Sequence, residues 1–375
     1  MANNRNQHFV PRCYLKPFTK DGAGLAINLY NLKLSRVIPD APVKNQSSGN
    51  YFYGKDQKLE DAIQSVEGPF AQVVTDICSN TSPVTRNQKA VLRRFIYLQY
   101  LRTEARSSAI AYTTFALIDI PGVNVERPSL KEAMREAVQE AMYLYGTNIR
   151  MLDDLKVCLI RNRTAVPFFT SDDPAIMANR WHQKDARTRG RSFGLGNPGL
   201  IFLLPLSPSV LCILYDGDVY SVPNHGGWIA ARKVTDIRLL NEHQILNCTY
   251  NLYFQNWENR EDIAIHVAKA KIGRTSVPID VVTAMYDKTT DRGERYSVVP
   301  KSELQPDRNQ LVHVLTPPRD HPDGQNLFLS GTGGKFTATT LSLHSRGDGY
   351  SKKASKPGLA ITNSVHENDK RNFIR

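Results

Sequence analysis

The segment QHFVPRCYLKPF, residues 7–18, places an imidazole, a guanidinium, a phenol and an ammonium group among apolar residues. These groups belong to His8, Arg12, Tyr14 and Lys16. In an extended segment alternate side chains share one side, so we expect these four to line one wall of a polar site. A histidine beside cations suits acid–base chemistry on an anionic substrate.

Charged side chains also interrupt the apolar faces of two predicted helices. Glu67 lies on the apolar face of the first helix, and Gln99 and Arg102 continue the apolar face of the second. Because a buried carboxylate is costly unless it is paired, we expect Glu67 to pair with Arg102 or Arg12. Such a pair is either a structural tie between helices or part of a functional site.

A third polar group follows the apolar run Phe168–Phe169, where the sequence continues Thr-Ser-Asp-Asp-Pro. Functional loops commonly begin at strand ends, so Ser171 and Asp172 are candidate site residues. For Asp173 an ordinary turn is the better interpretation. Glu67 and Asp172 together would provide oxygen ligands for a divalent cation, Mg²⁺ or Mn²⁺.

Hydrophobic periodicity predicts the elements that must position these groups. Helices are expected over residues 58–79, 81–118, 128–145 and 235–254. Strands are expected over residues 25–34, 155–160, 166–174, 199–206 and 210–216, with a loop over 36–55. Gly68 and Pro69 should break or kink the first helix, and Thr85 should cap the second.

This order of elements predicts an α+β fold: an N-terminal extended segment and long helices, followed by a mostly antiparallel sheet and a further helix. We expect one domain over residues 1–317, with a helical part over about 56–150 and a strand-rich part over about 155–317. Residues 318–375 are rich in Gly, Ser, Lys and Asp and are expected to form a flexible basic tail.

The composition bears on partners and compartment. The 375 residues carry a formal net charge of +12 and a pI of about 9.4, which favours anionic partners, nucleic acid first. The five cysteines lie far apart, so a zinc ribbon and a disulfide framework are disfavoured. The apolar run 199–215 is broken by two prolines and predicts two strands rather than a membrane helix. We therefore expect a cytoplasmic protein without membrane contact.

A basic segment, NRWHQKDARTRGR, follows the predicted strand end at residues 179–191. It includes Arg187, Arg189 and Arg191, with Trp181 and His182 interleaved. Basic residues mixed with an aromatic suit phosphate contacts and base stacking. An ordinary solvated loop explains the same composition.

Five motifs in a fixed order carry a resemblance to a known family. They are QHFVPRCYLKPF, YLQYLRT (97–103), FFTSDDP (168–174), LPLSPSVLCIL (204–214) and RLLNEHQILNCTYNLYF (238–254). Together they resemble an uncharacterised, mostly bacterial domain-of-unknown-function family (DUF4238) over about residues 6–255. The positions that match its pattern are His8, Arg12, Tyr14, Glu67, Gln99, Arg102, Ser171, Asp172 and Asn241. Gln7 departs from members that have a second histidine there, and the resemblance implies no established activity.

The leading hypothesis is a metal-dependent phosphodiester hydrolase that acts on nucleic acid. In it Glu67 and Asp172 hold the cation, His8 is the acid or base, and arginines neutralise phosphate charge. The bacterial setting of the family is compatible with a toxin or anti-phage effector. One alternative is a metal-independent enzyme on a nucleotide or dinucleotide, with Gln99 among its phosphate-binding groups. The other is a non-enzymatic module that binds nucleic acid, a partner protein or a second copy of itself.

Overall fold

The computed structural model describes residues 5–120, 124–184, 193–270, 280–291, 293–303 and 310–315, and two short strands at 330–331 and 373–374. Its α-helices are α1 (Arg12–Leu15), α2 (Gln57–Ser79), α3 (Arg86–Leu101), α4 (Glu104–Ile118), α5 (Leu130–Asn148), α6 (Arg180–Lys184), α7 (Val234–Asn247) and α8 (Arg260–Ala270). The predicted flexible tail lies outside the described residues, apart from the two short strands.

The strands of the first two-thirds of the chain are β1 (Asn6–His8), β2 (Ala26–Asn31), β3 (Arg36–Pro42), β4 (Ser48–Asn50), β5 (Lys156–Asn162), β6 (Thr170–Ser171), β7 (Ile176–Ala178), β8 (Ile201–Ser207), β9 (Val210–Tyr215), β10 (Tyr220–Ser221), β11 (Trp228–Ala231) and β12 (Asn251–Phe254). The later strands are β13 (Asp280–Thr290), β14 (Gly293–Val298), β15 (Gln310–Leu315), β16 (Ser330–Gly331) and β17 (Phe373–Ile374).

Antiparallel pairing dominates the sheets of the described chain. A five-stranded sheet has the order β11-β5-β9-β8-β7, and two four-stranded sheets have the orders β3-β2-β12-β6 and β15-β13-β14-β17. Within the described residues only β11 and β5 pair in parallel. A two-stranded ribbon joins β1 to β4. Helices combined with mostly antiparallel sheets confirm the predicted α+β class.

The N-terminal segment is extended only at its beginning. After β1 the chain turns at Pro11 into the short helix α1, and a 3₁₀ turn follows at Lys16–Phe18. Pro11 and Pro17 each stand at the start of a turn, where their missing N–H and fixed φ are tolerated. The prediction that four polar side chains share one side of an extended strand is therefore wrong. Arg12 and Lys16 are exposed, whereas Tyr14 is buried.

The helical region differs from the prediction at two points. Of the break or kink predicted at Pro69, the break does not occur, since α2 continues through it. The residues that follow, among them Phe70 and Val74, continue its apolar face into the same core. The second predicted helix is divided into α3 and α4 at Arg102 and Thr103. Arg102 leaves the helical conformation there, and the hydroxyl of Thr103 accepts the N–H of Arg106 to cap α4.

Other helix ends agree with local capping rules. Thr85 caps α3 through a reciprocal capping box with Gln88, as the sequence predicts. Ser129 and Glu132 form the same arrangement at the start of α5. Helix α5 continues through Gly146 to Asn148, beyond the end predicted at residue 145.

Two predicted segments have the wrong type. The region 36–55, predicted as a loop, contains β3 and β4. The final part of the helix predicted over 235–254 is β12, the strand that joins β2 to β6. The strands β4 and β12 are short and pair with distant segments. Strand β3 pairs with the preceding β2, but it contains Pro39 and Pro42, which are uncommon inside strands. The apolar run 199–215 forms β8 and β9, as expected.

The main core lies between the N-terminal segment, helices α2 and α3, and the five-stranded sheet. The rings of Phe70 and Phe95 stack there across α2 and α3, and Tyr14 packs beside Phe95. This packing fixes α2 against α3 and brings the polar residues at their ends together. In the part of the chain that the structure describes, no helix is long and apolar enough to cross a lipid bilayer.

Helix α7 carries a histidine that should make folding sensitive to acid. Burial lowers the pKa of His243 to about 4, from an ordinary value of 6.5. The folded state therefore favours the neutral ring, and this stabilisation is complete above pH 6.5 and is lost as the pH falls toward 4. We expect up to about 3 kcal/mol of the unfolding free energy to disappear over that interval.

Urea unfolding between pH 7 and pH 4 would measure this effect. A His243→Gln variant should lose that part of the pH dependence, and His225→Gln, at an exposed position, should keep it. A His243→Gln variant whose stability falls with acid as steeply as that of the wild type would contradict the assignment.

Candidate functional site

The end of helix α3 carries a buried polar network. Arg102 and Gln99 are fully buried. The Arg102 Nη1 group donates to Glu67 Oε1 at 2.5 Å, and its Nε and Nη2 groups both donate to Gln99 Oε1, at 2.9 and 2.8 Å. Gln99 Nε2 donates in turn to the carbonyl oxygen of Phe9 at 3.0 Å. Of the two partners predicted for Glu67, Arg102 and Arg12, the hydrogen bond is made with Arg102.

This network reaches the backbone on either side of Phe9. The hydroxyl of Tyr53 donates to the carbonyl oxygen of His8 at 3.1 Å, and burial raises the pKa of Tyr53. The phenol therefore stays protonated and acts as a donor. Tyr53 and Gln99 together fix the main chain of the segment that carries His8, while Arg102 fixes Glu67.

His8 is half-buried at the end of β1. Its Nδ1 atom lies 3.1 Å from the carbonyl oxygen of Gln46, and because a carbonyl only accepts, Nδ1 must carry the proton. Burial lowers the pKa of His8; the Gln46 carbonyl opposes this, and Arg12 adds to the lowering while Glu67 opposes it. The ring is thus neutral at pH 7, with a lone pair on Nε2.

Cys13 also belongs to this neighbourhood, since its thiol is affected by both Glu67 and Arg102, although no sequence pattern selects it. Burial, and after it the Glu67 carboxylate, raises the pKa of its thiol to about 11 against the opposing effect of Arg102. A thiol with this pKa is protonated at neutral pH and is a weak nucleophile. Cys13 lies in the charged segment 7–18 but on the side predicted to be apolar, and Tyr53 lies in a region predicted to be a loop, so neither residue was selected.

Tyr14 connects the first segment to the Thr-Ser-Asp loop. Its hydroxyl lies 2.6 Å from the hydroxyl of Thr170, and both residues are buried. The Ser171 hydroxyl donates to Gln244 Oε1 at 2.9 Å. Asn241 bonds the main chain on both sides of Phe168, accepting from Phe169 N and donating to Pro167 O. These contacts hold the loop in place.

Asp172 is buried and its carboxylate is saturated by the main chain. Oδ1 accepts from the N–H of Thr249, and Oδ2 accepts from the N–H groups of Tyr250 and Asn251, at 2.6–3.0 Å. Burial raises the pKa of Asp172, and the three backbone donors oppose that effect. This arrangement closes the turn between α7 and β12.

Asp173 is fully buried beside the start of α4. Thr103 donates to its Oδ1 at 2.9 Å, and its Oδ2 lies 4.0 Å from Arg106 Nε. The carbonyl oxygen of Asp173 accepts from Asn247. The turn interpretation of this residue therefore understated its role, since it joins the loop to α4 and α7.

Glu67 and Asp172 do not fit a shared divalent cation. Glu67 directs Oε1 to the Arg102 guanidinium, and Asp172 directs both oxygens to backbone N–H groups. The positive ends of these donors already occupy the positions that a cation would take. Among the described residues no group of three or more His, Cys, Asp or Glu side chains is arranged to hold a metal ion. Arg187, Arg189 and Arg191 lie outside the described residues.

The polar residues thus fall into two groups on an α+β framework: a partly exposed one at His8 and Glu67, and a buried one at residues 170–173.

The chain belongs to the family described as protein of unknown function (DUF4238), whose model matches residues 6–258. That match includes every residue of both groups. Neither a curated protein nor a solved structure matches the chain.

Proposed function

We propose that the protein is a phosphodiester hydrolase that acts on nucleic acid, with its reaction centre at His8. The observation that carries the proposal is the state of this residue: a half-buried, neutral imidazole whose Nδ1 proton is held by Gln46, beside the Arg12 cation and the Glu67 carboxylate. A histidine held in one tautomer by a backbone carbonyl is a typical general base.

In the proposed reaction His8 Nε2 takes a proton from a water molecule as the water oxygen forms a bond to phosphorus. The bond from phosphorus to the leaving oxygen breaks, and that oxygen receives the proton from the imidazolium. The exposed guanidinium of Arg12 stabilises the charge that develops on the phosphoryl oxygens. Glu67, held by Arg102, favours the transient imidazolium electrostatically.

Charge supports an anionic polymer as the substrate. The chain carries a net charge of +12. Arg12, which acts on His8, and Lys16, one helical turn further along the chain, are both exposed. Lys16 and Arg12 suit phosphate contacts that position a strand without reading its sequence. A cytoplasmic setting, and a role as a toxin or anti-phage effector, are part of the same proposal.

A cleavage assay tests the proposal directly. Purified protein is incubated with labelled single-stranded RNA, single-stranded DNA and plasmid, with EDTA or with added Mg²⁺ or Mn²⁺. Because Glu67 and Asp172 are engaged by other partners, we expect cleavage that persists in EDTA. Cleavage that requires added cation would return support to the metal-dependent mechanism, and the absence of cleavage on all three substrates would contradict the proposal.

A second candidate is a non-enzymatic module that binds nucleic acid or a partner protein. The observation that favours it is the closed network of Glu67, Gln99 and Arg102, in which the Arg102 Nε, Nη1 and Nη2 groups all have partners without any ligand. Tight binding of an oligonucleotide that stays intact would support this candidate. Cleavage of a dinucleotide but not of a longer strand would support an enzyme on small nucleotides.

A further inference from the structure

The ribbon formed by β1 and β4 presents a polar face to solvent. Asn6 pairs with Asn50, and His8 pairs with Ser48, so these four side chains share one face. Gln7, on the opposite face, is buried and bonds to the backbone of Tyr53 and Gly54. One side of the ribbon is therefore anchored in the protein, and the side that carries His8 is partly exposed: Asn6, His8 and Ser48 are half-buried and Asn50 is exposed.

Tyr51, at the far end of this ribbon, has a backbone conformation that is unusual for its type. Its φ is 50°, in the left-handed region that bulky residues rarely adopt. The conformation is held by a hydrogen bond from Tyr51 N to Arg5 O at 2.8 Å and by one from Gly54 N to Tyr51 O at 2.9 Å. Strained backbone of this kind often accompanies ligand contacts.

The Tyr51 ring is half-buried, and the ammonium group of Lys55 lies 5.3 Å from its centroid. One face of the ring thus has a cation over it, an arrangement that raises the attraction of an aromatic site for nucleic acid. Three further exposed cations belong to the same region: Arg5, Arg12 and Lys44. Lys44 is tied to the ribbon through its carbonyl oxygen, which accepts from Asn6.

We infer that the β1–β4 ribbon binds single-stranded nucleic acid, with a base stacked on Tyr51 and the exposed cations contacting phosphates. Tyr51 is three residues beyond Ser48, the partner of His8. This separation corresponds to a distance of about 10 Å along the ribbon. A strand anchored at Tyr51 would therefore pass His8. Stacking needs an unpaired base, so the site selects single strands over duplex. The inference rests on the proposed function and names its substrate class.

Binding of a fluorescein-labelled oligothymidine of about 12 nucleotides, made with a phosphorothioate backbone that resists cleavage and keeps its charge, tests this site when it is followed by fluorescence anisotropy. Tyr51→Gly should weaken binding roughly tenfold or more, because it removes the stacking ring. Glycine adopts a positive φ without strain, so this variant should unfold at a temperature close to that of the wild type. Tyr51→Phe, which keeps the ring, should bind as the wild type does.

Lys55→Gln gives an independent measurement. If Lys55 contacts a phosphate, the variant should lower the slope of log Kd against log salt concentration by about 0.7. Tyr143→Gly is the matched control, since Tyr143 is an exposed tyrosine on α5, and it should leave affinity unchanged. Unaltered affinity of Tyr51→Gly, or equal competition by duplex DNA, would overturn the inference.

The outcomes separate this inference from the proposed function. Cleavage by the wild type together with unaltered binding by Tyr51→Gly would remove the Tyr51 site and leave the hydrolase in place. Binding that depends on Tyr51 without any cleavage would support the Tyr51 site and contradict the hydrolase.

Discussion

Substitution of His8 by alanine is expected to slow phosphodiester cleavage by about 10²- to 10⁴-fold, the usual contribution of a positioned acid–base group. The reason is that Nε2 is the only atom of the ring left to exchange a proton once Gln46 holds Nδ1. Initial rates on a labelled single strand, at saturating protein, would measure the effect on the chemical step.

The pH profile adds a readout that a structural role would not change. Since burial lowers the pKa of His8 below its ordinary value of 6.5, the base form is already complete at neutral pH. Cleavage should therefore stay level through neutral pH and decline only on the acid side of 6.5. His225→Ala, at an exposed position, is the control. A His8→Ala protein that is folded and cleaves at the wild-type rate would exclude His8 as the base.

Substitution of Arg102 by methionine is expected to lower the unfolding free energy by about 3–5 kcal/mol, the typical cost of removing one partner from a buried ion pair. Arg102 is 0% exposed and Glu67 is only 21% exposed, so solvent replaces little of the lost interaction. The substitution also leaves Gln99 Oε1 without its two Arg102 donors. Urea unfolding of the full chain would measure the change.

A double-mutant cycle with Glu67→Gln isolates the pair itself. We expect a coupling energy of about 1–3 kcal/mol between the two positions. The exposed pair of Arg238 and Asp262, which are 47% and 42% exposed, is the matched control and should couple by about 1 kcal/mol or less. A Glu67–Arg102 coupling no larger than that of the control pair would show that the network is not a structural tie.

Local patterns predicted much of the fold. The capping box at Thr85 and the helical spacing of Glu67 depend on residues three or four positions apart, and the structure agrees with both. The sequence also predicted that Glu67 would be paired, and it left Arg102 and Arg12 as the two candidates; the structure selects Arg102. The break between α3 and α4 was missed because Thr103 begins a helix in a segment whose periodicity continues across it.

Local patterns could not predict the hydrogen-bond partners of Asp172. The strand end and the carboxylate were visible in the sequence, but the three N–H groups that saturate it come from residues 249–251. That distance along the chain leaves no local trace. The same holds for His8, whose proton is placed by the carbonyl of Gln46, a backbone group that every residue possesses.

The sequence by itself determined which charges had to be neutralised, since burying an unpaired carboxylate or guanidinium in an apolar face is costly whatever the fold. Only the tertiary structure decided which of those charges remain available for chemistry. Backbone N–H groups from a distant segment donate to both carboxylate oxygens of Asp172, and a distant backbone carbonyl holds the Nδ1 proton of His8. The physical reason is that hydrogen bonds to the main chain depend on position in space and not on residue type.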